Sequence, residues 1–190
     1  MVYHRHSTAV EPEQMNLSEL VDHIIAVHHE YVRRQLRLIE SDLREALAQP
    51  GPVPELIEIN QLYRTVSGEL QQHLIREEQV IFPLIRELDY AQRRPEHYSG
   101  GLSVSVRDLQ HDHEAFEHEV RRVRALTNNY QPPPGSGDAV VRLYERLADL
   151  ERDMIQHTRL EDHVLIPRAL AVRETLASRH RPFTPEQHTG

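Results

Sequence analysis

The sequence predicts an all-α fold, a four-helix bundle of up-down-up-down topology. Three observations carry this expectation. Four long segments repeat their apolar residues with helical period, and strand-like alternation is nearly missing. Proline- and glycine-bearing breaks divide the segments: PGPVP at 50–54, RRPEHYSGG at 93–101 and QPPPGSG at 131–137. Short connections between long amphipathic helices favour antiparallel neighbours. A chain of 190 residues is long enough to bury its own core as one domain.

Residues 1–15 show no periodicity and read as an N-terminal tail. The first helix opens at Asn16, which with Glu19 makes a capping box, and runs to about Ala48. The second begins with Pro54 in its first turn, where a missing N–H is harmless, and reaches about Leu88. The third covers about 102–129 and the fourth about 138–177, so the bundle spans 16–178 and a polar tail follows at 179–190. Each helix is ~40 Å or longer at 1.5 Å per residue.

Composition narrows the chemistry. Cys is absent, which excludes disulfides, thiolate nucleophiles and cysteine-held clusters. All 22 basic residues are Arg, which excludes a Schiff-base or Walker lysine. Carboxylate and imidazole remain. A formal charge of −8 disfavours nucleic acid and anionic membrane as partners, and no apolar run approaches the ~18 residues of a membrane span. With no signal peptide in view, the expectation is a soluble cytoplasmic protein. Histidine, at 14 residues, is in excess.

The buried stripe of each helix should alternate steps of three and four residues. In the second helix it reads Ile59, Tyr63, Val66, Leu70, His73, Glu77, Val80, Leu84, and in the fourth Leu143, Leu147, Leu150, Met154, His157, Glu161, Val164. The first holds Asp22, Ile25, His29, Val32, Leu36, Ile39 and Leu43; the third holds Val106, Leu109, His113, Phe116, Val120 and Val123. Four helices thus each place a histidine where an apolar residue belongs.

An internal repeat links them. HLIREEQVIFP at 73–83 and HTRLEDHVLIP at 157–167 share a His, a Glu four residues on and a Pro ten residues on, at an offset of 84 residues. His29 and His113 stand at the same offset, so two helical hairpins related by a pseudo-twofold axis are expected. A His and a Glu at i and i+4 share one helix face and can reach a common ion. A lone buried His is usually a hydrogen-bonded core residue. Four at one offset, with Glu77 and Glu161 otherwise buried without partners, favour metal coordination. Four imidazoles and two carboxylates in one bundle layer fit two metals bridged by two carboxylates, with iron or manganese suited and zinc not excluded. His28, His118 and His163 fall off the stripes, His23 lies to the side, and His4, His6, His97, His180 and His188 stand in tails or loops. All these are expected in solvent, and His111 on another face. Asp22 is expected to act as a helix-cap charge, with support of His29 as the alternative.

The stretches DHIIAVHHEY, HLIREEQVIFPLI, HDHEAFEHEVRRVRALTNNYQPP and HTRLEDHVLIPRAL resemble the hemerythrin-like cation-binding domain, most closely its branch of di-iron repair-of-iron-centres proteins, over roughly residues 17–172. The resemblance implies iron ligands at His29, His73, Glu77, His113, His157 and Glu161, the four histidines terminal and the two glutamates bridging. It implies two non-haem iron ions, with manganese or zinc less favoured, that meet O2, nitric oxide or peroxide. It also implies a role in nitrosative or oxidative stress or in repair of iron–sulfur client proteins. The alternative is a reversible O2, NO or iron sensor or store without turnover.

Two departures stand out. Members of that branch carry a further ligand histidine near the end of the first helix, where this chain reads Ala48-Gln49-Pro50-Gly51, and many carry a small Cys-bearing N-terminal domain that residues 1–15 do not match. Glu117, one turn beyond His113, is the candidate filler, a third carboxylate on the metal shared by His113 and His157, with a solvent-facing Glu as the alternative.

Overall fold

The computed structural model describes residues 11–49, 54–92 and 102–179. The expected tails up to residue 10 and from residue 180, and the breaks at 50–53 and 93–101, lie outside the described residues. Among the described residues all regular structure is helical and forms four rods. The first rod is α1 (Leu17–Ile24), a π-helical turn (Ile25–His29) and α2 (Glu30–Leu47). The second is α3 (Glu55–Arg76), a π-helical turn (Glu77–Ile81) and α4 (Phe82–Ala91). The third is α5 (Leu102–Leu126) alone, and the fourth is α6 (Asp138–Leu160), a π-helical turn (Glu161–Leu165) and α7 (Ile166–Arg179).

The start of the first rod is fixed by its cap. Asn16 Oδ1 accepts from the Glu19 N–H and Glu19 Oε2 accepts from the Asn16 N–H, each at 2.9 Å, a reciprocal box that stabilises a helix start by about 1 kcal/mol. Just before it the chain is ordered rather than a free tail. Pro12–Gln14 forms a short 3-10 turn, and Arg168 Nη2 donates to the Met15 carbonyl at 2.6 Å. The third rod ends earlier than its periodicity suggests, because Asn128, Asn129 and Tyr130 all take positive φ and turn the chain out of the helix. α1 packs on α4, α2 on α3 and α6, α3 on α5, and α7 on α4 and α5, so sequential rods run antiparallel.

The core is divided. One apolar cluster holds residues such as Val32, Leu36, Ile39, Leu56, Ile59, Leu143 and Met154; the other holds Leu17, Leu20, Ile24, Ile81, Phe82, Ile85, Leu165 and Ile166. Between the clusters the chain carries His28, His29, His73, Glu77, His113, His157 and Glu161, all buried. A polar layer thus crosses the bundle with hydrocarbon on both sides.

The π-helical turns explain where the inward stripe departs from a regular period. In each, a backbone N–H bonds five residues back: Glu30 to Ile25, Phe82 to Glu77, Ile166 to Glu161. The extra residue moves the buried face on by one position. Val80 is therefore exposed, where a regular stripe would bury it, and Ile81 and Ile85 are buried instead. In the fourth rod Leu165 takes the place expected of Val164. Pro83 and Pro167 follow two of these turns. A proline inside a helix lacks a donor and crowds the carbonyl four residues back, and a wider turn before it relieves both.

Candidate metal centre

Six of the seven residues expected at the site converge. His29, Glu77, His157 and Glu161 form one group of side chains whose ligand atoms all lie within 4.8 Å of one another; His73, Glu77, His113 and Glu161 form a second. Glu77 and Glu161 belong to both. Each glutamate spreads its oxygens between the groups. Glu77 Oε2 lies 3.3 Å from His29 Nε2 and Oε1 lies 3.2 Å from His73 Nε2. Glu161 Oε1 lies 3.1 Å from His157 Nε2 and Oε2 lies 3.2 Å from His113 Nε2.

The seventh does not join them. Glu117 is exposed and pairs with Arg121 at 3.2 Å, an i,i+4 surface pair. The reason is helical phase: in α5 it is Phe116, three residues after His113, that turns inward against the core. His113 also shares its group with His73, not with His157. Gln49 does not fill the position either; its amide sits where a Cβ on Gly137 would fall, at the far end of the bundle.

All four imidazoles present Nε2 inward. Their outer nitrogens are held differently. His29 Nδ1 lies 2.6 Å from Glu78 Oε1, which also accepts from Arg33 at 2.8 Å. His113 Nδ1 lies 3.0 Å from Asp162 Oδ2. Glu78 and Asp162 each follow a shared glutamate directly, so the 84-residue repeat extends to these supporting carboxylates. A carboxylate on Nδ1 fixes the tautomer that leaves Nε2 with a free lone pair and makes the ring a better donor. Phe82 stacks on His29, ring centroids 5.5 Å apart, and closes the layer on that side.

His28, which the periodicity places off the stripe, is buried at 4% exposure. The π-helical turn at Ile25–His29 delivers two adjacent histidines to the interior, where a regular turn would deliver one. His28 Nδ1 lies 3.0 Å from Asp153 Oδ1, and its ring stacks on His157 with centroids 5.5 Å apart and planes 4° apart. The same turn carries Asp22 to the surface, where it neither caps nor reaches His29 and instead accepts from Arg86 at 2.7 Å. His111, His118 and His163 are exposed and His23 is half-buried.

Electrostatics in the layer follow from burial and crowding. Burial, reinforced by His157, lowers His29 to about 4. Burial lowers His73 to about 4 as well, against the attraction of Glu161. His113 goes the other way: burial opposes its charge, but Asp162 and Glu161 at its two nitrogens lift it to about 9. Burial and then Glu161 hold Glu77 well above the carboxylate range. Glu161 lies well below that range, because His157 and His113 outweigh its burial. Without metal, burial thus favours the neutral form of Glu77 while the imidazoles favour the charged form of Glu161.

The donor set fits metal. Among the described residues, His73 Nε2, His113 Nε2 and all four oxygens of Glu77 and Glu161 are buried and make no directed hydrogen bond, although neighbours lie at ion-pair distance. Imidazoles and carboxylates crowded into a dry interior without directed hydrogen bonds are costly, and cations between them remove that cost. Nitrogen and oxygen donors without sulfur suit iron, manganese or zinc.

The family profile described as hemerythrin HHE cation binding domain matches residues 20–169. A Haemophilus influenzae protein named probable iron-sulfur cluster repair protein is 28% identical over 158 residues, covering 80% of this chain and 65% of the relative. Proteins of Escherichia coli and Escherichia fergusonii named iron-sulfur cluster repair protein YtfE are each 31% identical over 158 residues, covering 82% of this chain and 67% of theirs. The chain spans about two thirds of the length of these relatives.

Proposed function

The chain belongs to the hemerythrin HHE cation-binding domain family, and on that premise we propose that it is a non-haem di-iron protein of the iron–sulfur repair type. His29 and His157 would hold one iron, His73 and His113 the other, and Glu77 and Glu161 would bridge them. The observation that carries this reading is the sharing of both glutamates by two four-residue groups. Bound there, iron would supply one-electron chemistry and open coordination positions for O2, nitric oxide or peroxide.

The protein's own part is to hold, orient and exclude. Glu78, Asp162 and Asp112 orient imidazoles from outside, while the apolar clusters above and below keep bulk water from the layer. A cavity of about 580 Å³ reaches the layer between α3 and α5, with His73, His113, Phe116 and Met154 in its wall, room for a small ligand. Glu77, the shared carboxylate whose neutral form burial favours, is the residue from which metal entry would draw a proton. The relatives are named for iron–sulfur cluster repair, and we extend that role to the centre in this chain. Anaerobic addition of NO to iron-loaded protein supplied with an excess of an external electron donor tests it: consumption of NO over many cycles, or restored activity of a nitrosylated iron–sulfur enzyme, supports the reading. Stoichiometric and fully reversible binding without either effect would leave a sensor or store.

A further inference from the structure

The internal repeat is close but not complete, and it breaks at one place beside the candidate centre. Each inward histidine can be compared with its counterpart 84 residues away. For His29 and His113 the outer nitrogen meets a carboxylate in both halves, Glu78 at 2.6 Å and Asp162 at 3.0 Å. For His73 and His157 the halves differ. His73 Nδ1 faces the Asp112 carboxylate at 3.5 Å, and Asp112 is itself clasped by Arg76. Among the described residues neither His73 Nδ1 nor His157 Nδ1 makes a directed hydrogen bond, but only His73 Nδ1 has a carboxylate at ion-pair distance. At the place in the repeat that Asp112 occupies stands His28, whose ring lies flat against His157 and whose own Nδ1 is held by Asp153.

A carboxylate and a stacked imidazole do different things to the ring they support. The carboxylate orients it and feeds charge to its metal-facing nitrogen; the stacked ring fixes its plane by packing and adds no negative charge. The group of His73 and His113 is therefore backed by two carboxylates, and that of His29 and His157 by one.

Building on the two-metal reading above, we propose that His28, braced by Asp153, is a positioning residue for His157. It puts a stacked ring where the other half of the repeat has a carboxylate, and thereby makes the His29–His157 position the one that gives up its metal first. A protein whose two metals differ in lability can pass one on while the other keeps the bundle closed, which suits a role in rebuilding metal clusters.

The test is release of metal to a ferrous chelator from protein loaded anaerobically with two irons, with Mössbauer spectra of the half-depleted sample. Two phases of one metal each are expected, their rates differing by about tenfold or more, the scale at which outer partners act on metal sites. H28A should speed the fast phase alone, and H28F, which keeps a ring against His157, should restore the wild-type rate. D112N, at a half-exposed residue that leaves the core intact, should speed the slow phase alone. Single-phase release from the wild type, or H28A and D112N acting on the same phase, would overturn the assignment while leaving a two-metal centre in place. Failure of the wild type to take up two metals at all would overturn both.

Discussion

The two shared glutamates make a paired test, because their environments without metal are opposite. Burial and its neighbour favour the neutral form of Glu77, so Glu77→Gln should replace one neutral group by another. The metal-free variant should melt within about 3 °C of the wild type, as expected for a change under ~1 kcal/mol in a domain of this size. Glu161 is the anion of the pair, stabilised by His157 and His113. Glu161→Gln leaves a charged His113 in the interior without that partner, and breaking a buried pair costs roughly 3–5 kcal/mol, or about 10 °C of melting temperature. With metal the two variants should converge, each losing a bridging charge and retaining at most one metal. Thermal melts by circular dichroism on metal-stripped protein, set beside metal analysis of reloaded protein, read both effects. Equal shifts of the two metal-free variants would refute the charge assignment, and two metals retained in either loaded variant would refute the bridging role.

Metal-free protein should be most stable near pH 6.5. His29 and His73, at about 4 when folded and near 6.5 when unfolded, take up protons in the unfolded chain first, so stability falls as pH drops through that window. His113, raised to about 9, contributes fully below 6.5 and loses its contribution as pH rises to 9, so melting curves across pH should fall on both sides. Restoring metal at a hundredfold excess over its dissociation constant should raise stability by about 2.7 kcal/mol, and unchanged calorimetric melts would mean that metal does not bind the folded layer. Glu117→Ala should leave metal content unchanged and shift stability by no more than about 0.5 kcal/mol, since it breaks one exposed pair; loss of a metal would return Glu117 to the site.

Much of this was legible in the sequence, because helical period and a repeat of constant offset act over long stretches. His29, His73, His113 and His157 announce themselves as polar residues on apolar stripes, and Glu77 and Glu161 as their i+4 partners. What period could not convey is a local change of period. Three π-helical turns shift the buried face by one residue, which exposes Val80, brings Ile81 inward and buries His28 beside His29. Pro83 and Pro167 were a signal for two of these turns, since a proline in mid-helix needs a widened turn before it. The turn at Ile25–His29 has no such mark, and so His28 and its partner Asp153 were out of reach. Glu78 and Asp162 were within reach, standing at the same offset as the glutamates they follow. Glu117 failed for a simpler reason: in a rod without a π-helical turn, Phe116 holds the inward place.

The central claim is that two irons share Glu77 and Glu161. Metal analysis of the purified protein combined with anaerobic Mössbauer spectroscopy addresses it most directly. The account predicts two irons per chain that are magnetically coupled in the oxidised protein, with the coupling lost in Glu77→Gln and Glu161→Gln. One iron per chain, or two that show no coupling, would contradict it.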